Sequence, residues 1–350
     1  MISLASGAIL GVGANLLTAV VLPGIAGTIP AWLVIVATPL AAALGFLLAQ
    51  RRTRHADQTF IVISAFTHTR WLADLLDNLA QSLDRHGIDL VVKLPAYDHS
   101  GRSQLLQLDS LLKRRRSYIG GFIIPTHPER IPRELTAFCQ AVGQPVVFID
   151  VRPFHDPHDY PDRTAFVGCD SEEIGQTAAE WLATRLAEEG VQEPSVLIVG
   201  GNSQPGRHVR FEARLRELLP TARIQKNLSG FYARERAREV VDHYLRAMHR
   251  RNEHLHAIFC ANDEMALGVA DAVLEHAAGK PAGDHPIIIG VDGIAEAIAT
   301  IKFGTTPFQA TVVQDHRRVA EVAVDALLRM RAGERVTTEI LMPVTVYPMH

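Results

Sequence analysis

The chain has 350 residues, a formal net charge of −3 and 47% hydrophobic residues, so it has room for two lobes and a further segment. The near-neutral charge does not suggest nucleic-acid binding. The three cysteines, Cys139, Cys169 and Cys260, have no metal-like spacing and require no oxidising compartment.

The amino-terminal 50 residues contain no Asp, Glu, Lys, Arg or His. Two apolar stretches, 4–22 and 31–49, are separated by Pro and Gly, and each approaches the ~20 residues with which a helix crosses a bilayer. We therefore predict a transmembrane hairpin over 1–50 and a basic linker over 51–57. The sequence does not decide whether both stretches cross the membrane or only one does. A cleaved signal peptide fits poorly because no basic residue precedes the apolar run.

The linker favours one side of the membrane. Arg51, Arg52 and Arg54 follow the second stretch directly, and such clusters stay on the cytoplasmic face. Two spans then place the rest of the chain in the cytoplasm, whereas a single span places it outside. The predicted location is the cell membrane, with the side left open.

From residue 59 onward, short apolar runs alternate with amphipathic patterns. We predict strands over 59–65, 90–94, 121–125, 145–150, 195–200, 257–261, 286–291 and 310–313. Predicted helices include 71–86, 173–189, 207–219, 234–249 and 265–276. Strands without polar alternation are typical of a parallel sheet that helices cover on both faces. The number of βα units exceeds one doubly wound sheet and predicts an α/β chain with two lobes.

Polar side chains follow many of these strands at the point where each strand ends. They are Ser64, Asp150, Asn262, Asp292 and Gln314, while Arg207 opens a helix and Trp71 and Phe231 lie in adjoining segments. Open α/β sheets bind ligands at this edge. Carboxylates, amides, an Arg and aromatic faces suit a sugar, whose hydroxyls both donate and accept hydrogen bonds. The alternative for any single residue is that it merely caps the next helix.

Several segments together resemble a known family. Residues 262–268 read NDEMALG, 290–293 read GVDG, 310–314 read ATVVQ, and 145–150 read PVVFID. Residues 207–211, RHVRF, resemble an RxxGF element in which Arg210 replaces the usual Gly. Over about 58–348 the chain resembles the type 1 periplasmic-binding-protein family, closest to ribose- and galactose-binding proteins, whose fold LacI-type effector domains share.

The resemblance implies two doubly wound lobes joined by three crossings near 167–169, 313–315 and 338–341. Lobe 1 would comprise 58–167 and 315–339, and lobe 2 would comprise 168–313 and 340–350. It also implies a ligand cleft between the lobes. The implied contacts are Ser64, His68, Trp71, Asp150, Arg207, Phe231, Asn262, Asp292 and Gln314.

Besides Arg210, the chain departs from the family pattern at three places. His68 stands where pentose binders have Asn, Arg70 where an aromatic is expected, and Val151 where Arg is common. Arg152 is then a potential substitute for the missing Arg. The additional cation Arg70 and the titratable His68 suggest, as a hypothesis, an acidic or phosphorylated sugar.

Two functions remain open from the sequence. One is a sugar-binding component of an ABC importer that serves a permease. The other is a membrane-tethered sensor that passes closure to a signalling partner. No phosphate loop, nucleophile elbow or helix-turn-helix is present, so we expect no enzyme, no cofactor and no nucleic-acid partner. The His- and Asp-containing run 155–159 is interpreted as a solvated loop rather than a metal site.

Overall fold

The computed structural model describes residues 57–63, 69–94, 101–201, 206–277 and 285–349. The predicted transmembrane stretches and most of the basic linker lie outside these residues. Within the described segments, no helix is both long and apolar enough to cross a membrane.

Two six-stranded sheets organise the described chain. The first contains β1 (Gln58–Val62), β2 (Asp89–Lys93), β3 (Tyr118–Ile123), β4 (Val146–Ile149), β5 (Thr164–Cys169) and β11 (Glu339–Met342). The second contains β6 (Ser195–Val199), β7 (Arg223–Asn227), β8 (Ala257–Cys260), β9 (Ile287–Asp292), β10 (Phe308–Val313) and β12 (Thr345–Tyr347). Their spatial orders are β11-β5-β4-β3-β1-β2 and β12-β10-β9-β8-β6-β7. All pairings are parallel except that of β12 with β10.

Helices cover both faces of each sheet, as a doubly wound fold requires. Lobe 1 has α1 (Arg70–Asp84), α2 (Arg102–Leu112), α3 (Pro132–Val142) and α9 (His316–Arg331). Lobe 2 has α4 (Ser171–Glu188), α5 (Arg207–Leu218), α6 (Arg234–Arg251), α7 (Asp263–Ala277) and α8 (Ala295–Phe303). The pairs α1–α9, α2–α3, α4–α5 and α6–α7 pack side by side. This architecture confirms the predicted pair of parallel-sheet lobes.

Apolar strand residues fill the core on both faces of the sheets. Phe60, Phe122, Phe148 and Phe166 of sheet 1 have no exposed surface. In lobe 2, Phe211 of α5 stacks on Phe259 of β8 with 4.1 Å between ring centroids. Because side chains alternate between the two faces of a strand, uninterrupted apolar strands are what a sheet buried on both sides needs.

The chain passes between the lobes at three points. It leaves sheet 1 after β5, returns after β10, and crosses again between β11 and β12. The predicted third crossing at 338–341 was wrong, because residues Glu339 to Met342 pair in parallel with Phe166 to Cys169 of sheet 1. Residues 340–342 therefore belong to lobe 1, and the passage lies at 343–344.

Candidate functional site

The polar residues that follow the strands face one another across the two lobes. Asp150 follows β4 in lobe 1, whereas Asp292 ends β9 and Arg207 begins α5 in lobe 2. Gln314 follows β10 at the second passage between the lobes. Because parallel strands place their carboxyl ends at one edge, the two sheets present these groups to a common cleft.

Arg207, Asp292 and Gln314 form a connected group in this cleft. The Arg207 Nη1 donates to the carbonyl oxygen of Ala261 at 3.1 Å and lies 3.5 Å from Oδ1 of Asp292. The Gln314 Nε2 donates to the same Oδ1 at 2.9 Å. Burial raises the pKa of Asp292 to about 7, and Arg207 opposes that shift while the Asp150 carboxylate adds to it.

Asp150 is a carboxylate without a hydrogen-bonding partner among the described residues. Burial raises its pKa, and the nearby Arg207 opposes the shift only in part. Its backbone has a φ of +67°, a conformation that is uncommon for Asp. A partly exposed carboxylate that accepts from no described residue fits a ligand that brings donors of its own.

A further aromatic side chain of this region is Tyr232, which follows the predicted contact Phe231. Phe231 is 38% exposed. The Tyr232 ring lies against Gly201 so closely that a Cβ there would clash with it. Burial raises the pKa of the Tyr232 hydroxyl, which also senses the charges of Arg207 and Asp150. The sequence predicted Phe231 alone, since no motif marks Tyr232.

The first two residues of the NDEMALG motif, Asn262 and Asp263, have structural contacts. The Asn262 Oδ1 accepts from the Met265 N–H at 3.0 Å, which caps α7, and its Nδ2 donates to the Tyr232 carbonyl at 3.3 Å. One amide hydrogen of Asn262 is thus left for a ligand. The Asp263 carboxylate accepts from the N–H groups of Gly293 and Ile294 at 2.8 and 3.0 Å. It also accepts from the Thr311 hydroxyl at 2.7 Å.

Helix α1 brings lobe 1 into contact with the rest of the cleft. The Trp71 Nε1 donates to the Gln314 carbonyl at 3.2 Å, and the Trp71 ring is buried. The Arg70 backbone N–H donates to Oε1 of Glu264 in lobe 2 at 3.2 Å. These bonds join α1 to the second passage and to the start of α7, so the structure shows lobes in contact.

Arg70 and Arg152, the two cations considered from the sequence for the ligand site, form ion pairs with other residues of the chain. The Arg70 guanidinium is exposed and lies 3.3 Å from Asp74 on its own helix. The Arg152 guanidinium lies 3.3 Å from Asp170 and 3.4 Å from Glu339, so it does not replace the missing Arg at position 151. The predicted contacts Ser64 and His68 lie outside the described residues.

A buried amide supports the lobe 1 side of the cleft and was missed from the sequence. The Gln104 Nε2 of α2 donates to the carbonyls of Ile63 and Ile124 at 3.1 and 2.8 Å, and its Oε1 accepts from the Thr126 N–H at 2.9 Å. It therefore joins the carboxyl ends of β1 and β3. A Gln within an amphipathic helix pattern gives no signal of that role.

Uncommon backbone conformations cluster at the cleft. Of the seven described non-glycine residues with positive φ, four belong to this region: Asp150, Phe231, Tyr232 and Asp292. Such conformations cost about 1–3 kcal/mol each and concentrate at functional sites. No cluster of three metal-ligating side chains occurs among the described residues. The arrangement is suited to hydrogen bonding of a polar ligand.

Two parallel-sheet lobes with polar groups facing across a three-passage hinge define a two-lobed ligand-binding protein. Residues 60–335 match the model of the periplasmic binding protein domain family, and the chain belongs to this family. The sugar-binding relatives in this family are substrate-binding proteins and not enzymes. The resemblance inferred from the motifs is thereby confirmed at family level.

Curated relatives match parts of the chain. The D-allose-binding periplasmic protein of Escherichia coli is 29% identical over 151 residues, which cover 43% of this chain and 45% of the relative. The ribose import binding protein RbsB of Bacillus subtilis is 26% identical over 205 residues, which cover 59% and 61%. The chain thus spans about half the length of the curated relatives it matches.

Solved structures share the fold over most of the chain. A solute-binding protein from Actinobacillus succinogenes with bound D-allose has a TM-score of 0.69 at 19% identity, covering 83% of this chain and 96% of that one. A solute-binding protein from Bacillus halodurans with bound myo-inositol has a TM-score of 0.69 at 20% identity, covering 83% and 94%.

Proposed function

We propose that the chain is a membrane-anchored binding protein that captures a monosaccharide or related polyol in the cleft between its lobes. The observation that carries this proposal is the Asp150 carboxylate, which accepts no hydrogen bond from any described residue and faces the group of Arg207, Asp292 and Gln314. The family match and the sugar and polyol ligands of its structural neighbours support it.

The charges of the cleft favour an uncharged ligand over an acidic or phosphorylated one. Asp150 and Asp292 contribute two carboxylates, and Arg207 is their one cationic neighbour among the described residues. Arg70, which suggested an anionic sugar, pairs with Asp74 instead. A ligand phosphate would meet buried carboxylates at a high electrostatic cost, whereas sugar hydroxyls donate to them.

Hinge closure is the proposed output of binding. Contacts from Asp150 in lobe 1 and from Arg207 and Asp292 in lobe 2 are available to one ligand only when the lobes approach. The ligand therefore stabilises the closed state and shifts the population towards it. Ser64, His68, Trp71, Asn262 and Phe231 stay proposed contacts, to which we add Tyr232.

A thermal-shift panel with D-ribose, D-allose and myo-inositol tests the proposal, with glucose 6-phosphate and glucuronate as anionic comparisons. A ligand that binds only the folded protein raises the melting midpoint. We expect a neutral compound to raise it and Arg207→Ala to abolish the shift while the far-UV circular dichroism is kept. The matched control is Arg133→Gln, which replaces an exposed cation on α3. No shift with any sugar, or a larger shift with the anions, contradicts this assignment.

The proposed membrane anchor rests on the sequence of residues 1–50. This segment has no ionisable side chain, and it contains two apolar stretches of bilayer length. We expect the full chain to stay in the membrane fraction after alkaline carbonate extraction. Release of the full chain into the soluble fraction contradicts the anchor and leaves the sugar site unaffected.

Two partners fit an anchored binding protein. A permease fits the importer role that the relatives suggest, and a signalling chain fits a tethered sensor. A neighbour of the same fold, with a TM-score of 0.67 at 19% identity, was solved as the XylFII–LytSN complex, which supports a partner chain as the second candidate. A reporter fused to the carboxyl terminus distinguishes these two roles. Phosphatase activity of a fused phosphatase would place the cleft outside the cytoplasm, where an importer needs it. Fluorescence without phosphatase activity places it in the cytoplasm, as Arg51, Arg52 and Arg54 favour.

A further inference from the structure

The Arg152 side chain lies at the hinge, on the same turn as Asp150. Its Nη1 and Nη2 donate to Oδ1 and Oδ2 of Asp170 at 3.4 and 3.3 Å, and its Nε lies 3.4 Å from Oε1 of Glu339. The guanidinium also lies 5.7 Å from the centroid of the Phe166 ring. The Tyr160 hydroxyl donates to the same Glu339 oxygen at 3.1 Å. A planar fork of donors is thus held between two carboxylates and an aromatic face.

Both carboxylates belong to segments that connect the lobes. Asp170 follows β5 at the first passage, and its Oδ1 also accepts from the Glu172 N–H at 2.9 Å, which caps α4 of lobe 2. Glu339 begins β11, the strand that leads into the third passage. Arg152 therefore joins two of the three passages to each other.

The same residue holds the turn that presents Asp150. The Val151 N–H donates to the Ile149 carbonyl at 2.7 Å, a tight turn that accompanies the positive φ of Asp150. The Asp150 N–H reaches the Val167 carbonyl only at 3.4 Å. A turn in an unfavourable conformation persists when its surroundings fix it. Arg152, two residues after Asp150, fixes the turn through its contacts with Asp170 and Glu339.

We propose that Arg152 is a positioning residue that couples the orientation of the Asp150 carboxylate to the hinge. It touches no ligand in this assignment. It holds the Asp150 turn against the first and third passages, so that movement of the hinge and movement of Asp150 occur together. The inference rests on the proposed ligand role of Asp150 for its effect on affinity, but its effect on the hinge is independent of any ligand.

The hinge effect is tested by spin-label distances between the lobes of the ligand-free full chain in detergent. Exposed Asp109→Cys in lobe 1 and Glu253→Cys in lobe 2 carry the labels. The native thiols do not compete because all three are buried, and burial raises the pKa of Cys139 and Cys169 to about 12. We expect Arg152→Gln to broaden the interlobe distance distribution at least twofold. Arg133→Gln, which lies away from the hinge, should leave it unchanged.

An unchanged distribution in Arg152→Gln overturns the proposal. If that variant does not fold, Glu339→Gln and Arg152→Lys decide instead, since each weakens the same contacts while keeping most of the side chain. Lys retains the charge without the fork, so an intermediate broadening is expected. No broadening in either variant also overturns the proposal.

The coupling to Asp150 is tested by a double-mutant cycle on D-ribose and D-allose binding, measured by calorimetry. We expect Arg152→Gln to weaken binding about tenfold in the wild-type background and less than twofold in an Asp150→Asn background. Equal losses in both backgrounds mean that Arg152 does not act through Asp150, which overturns the coupling. If neither sugar binds the wild-type chain, the proposed function fails with these probes, and the distance measurement decides the role of Arg152.

Discussion

Lobe 2 should depend strongly on Asp263, the residue that follows the proposed ligand contact Asn262. Its side chain is fully buried and accepts three hydrogen bonds that join the start of α7, the turn after β9 and strand β10. Asp263→Ala leaves the Ile294 N–H and the Thr311 hydroxyl without an acceptor, whereas the Gly293 N–H keeps its bond to the Thr311 Oγ1 at 3.2 Å. An unsatisfied buried donor costs about 1–3 kcal/mol. Two such donors amount to about 2–6 kcal/mol. Because removal of the carboxylate also relieves its desolvation and its repulsion with Asp292, we expect the lower half of that range, a loss of about 2–4 kcal/mol.

Urea unfolding followed by circular dichroism measures this loss as the change in the free energy of unfolding. Asp263→Asn, which keeps one carbonyl acceptor, should lose less than Asp263→Ala. The exposed Asp109→Ala is the matched control and should change the free energy by no more than about 0.5 kcal/mol. A loss below about 1 kcal/mol for Asp263→Ala would refute the argument that these three bonds hold lobe 2 together.

Three further predictions concern the cleft. Since burial raises the pKa of Asp292 to about 7, its ionised form is lost below that pH, and sugar affinity should fall between pH 8 and 5.5 in calorimetry. The unliganded fold should show the opposite trend, losing stability as the pH rises through 7, and Asp292→Asn should flatten both profiles. Tyr232→Phe should weaken sugar binding about fivefold, a typical value for one lost hydrogen bond, whereas Phe231→Leu should have less effect in the same titration. Glu264→Ala removes the bond from the Arg70 N–H and should speed sugar dissociation several-fold in stopped-flow measurements, with unchanged dissociation counting against a closed-state role.

Most strands of both sheets could be predicted because they are apolar over most of their length. Strands β1 to β4, β6 and β8 to β10 coincide with predicted runs, whereas the central strand β5 was missed although its sequence TAFVGC is fully buried. The edge strand β7 was missed because its sequence RIQKN is polar, and β11 and β12 were missed because they are short and half-exposed. An edge strand has little to bury, so its composition carries little signal.

The location of the site followed from strand ends, but the roles of its residues did not. Asp150, Arg207, Asp292 and Gln314 come together because parallel strands end at one edge. The choice between Phe231 and Tyr232 depends on two successive positive φ angles, which a sequence does not reveal. The partners of Arg152 are distant in sequence, so its place at the hinge emerges only from the fold.

The described chain starts in one lobe and finishes in the other. Strand β1 opens lobe 1, whereas β12 closes the edge of lobe 2 beside β10. A chain tethered through its amino-terminal side would therefore have lobe 1 as its stationary body. Lobe 2, which contains Arg207 and Asp292, would be the lobe that moves. A tag on the carboxyl terminus would move with lobe 2, and its distance from the tether would change when the cleft opens or closes.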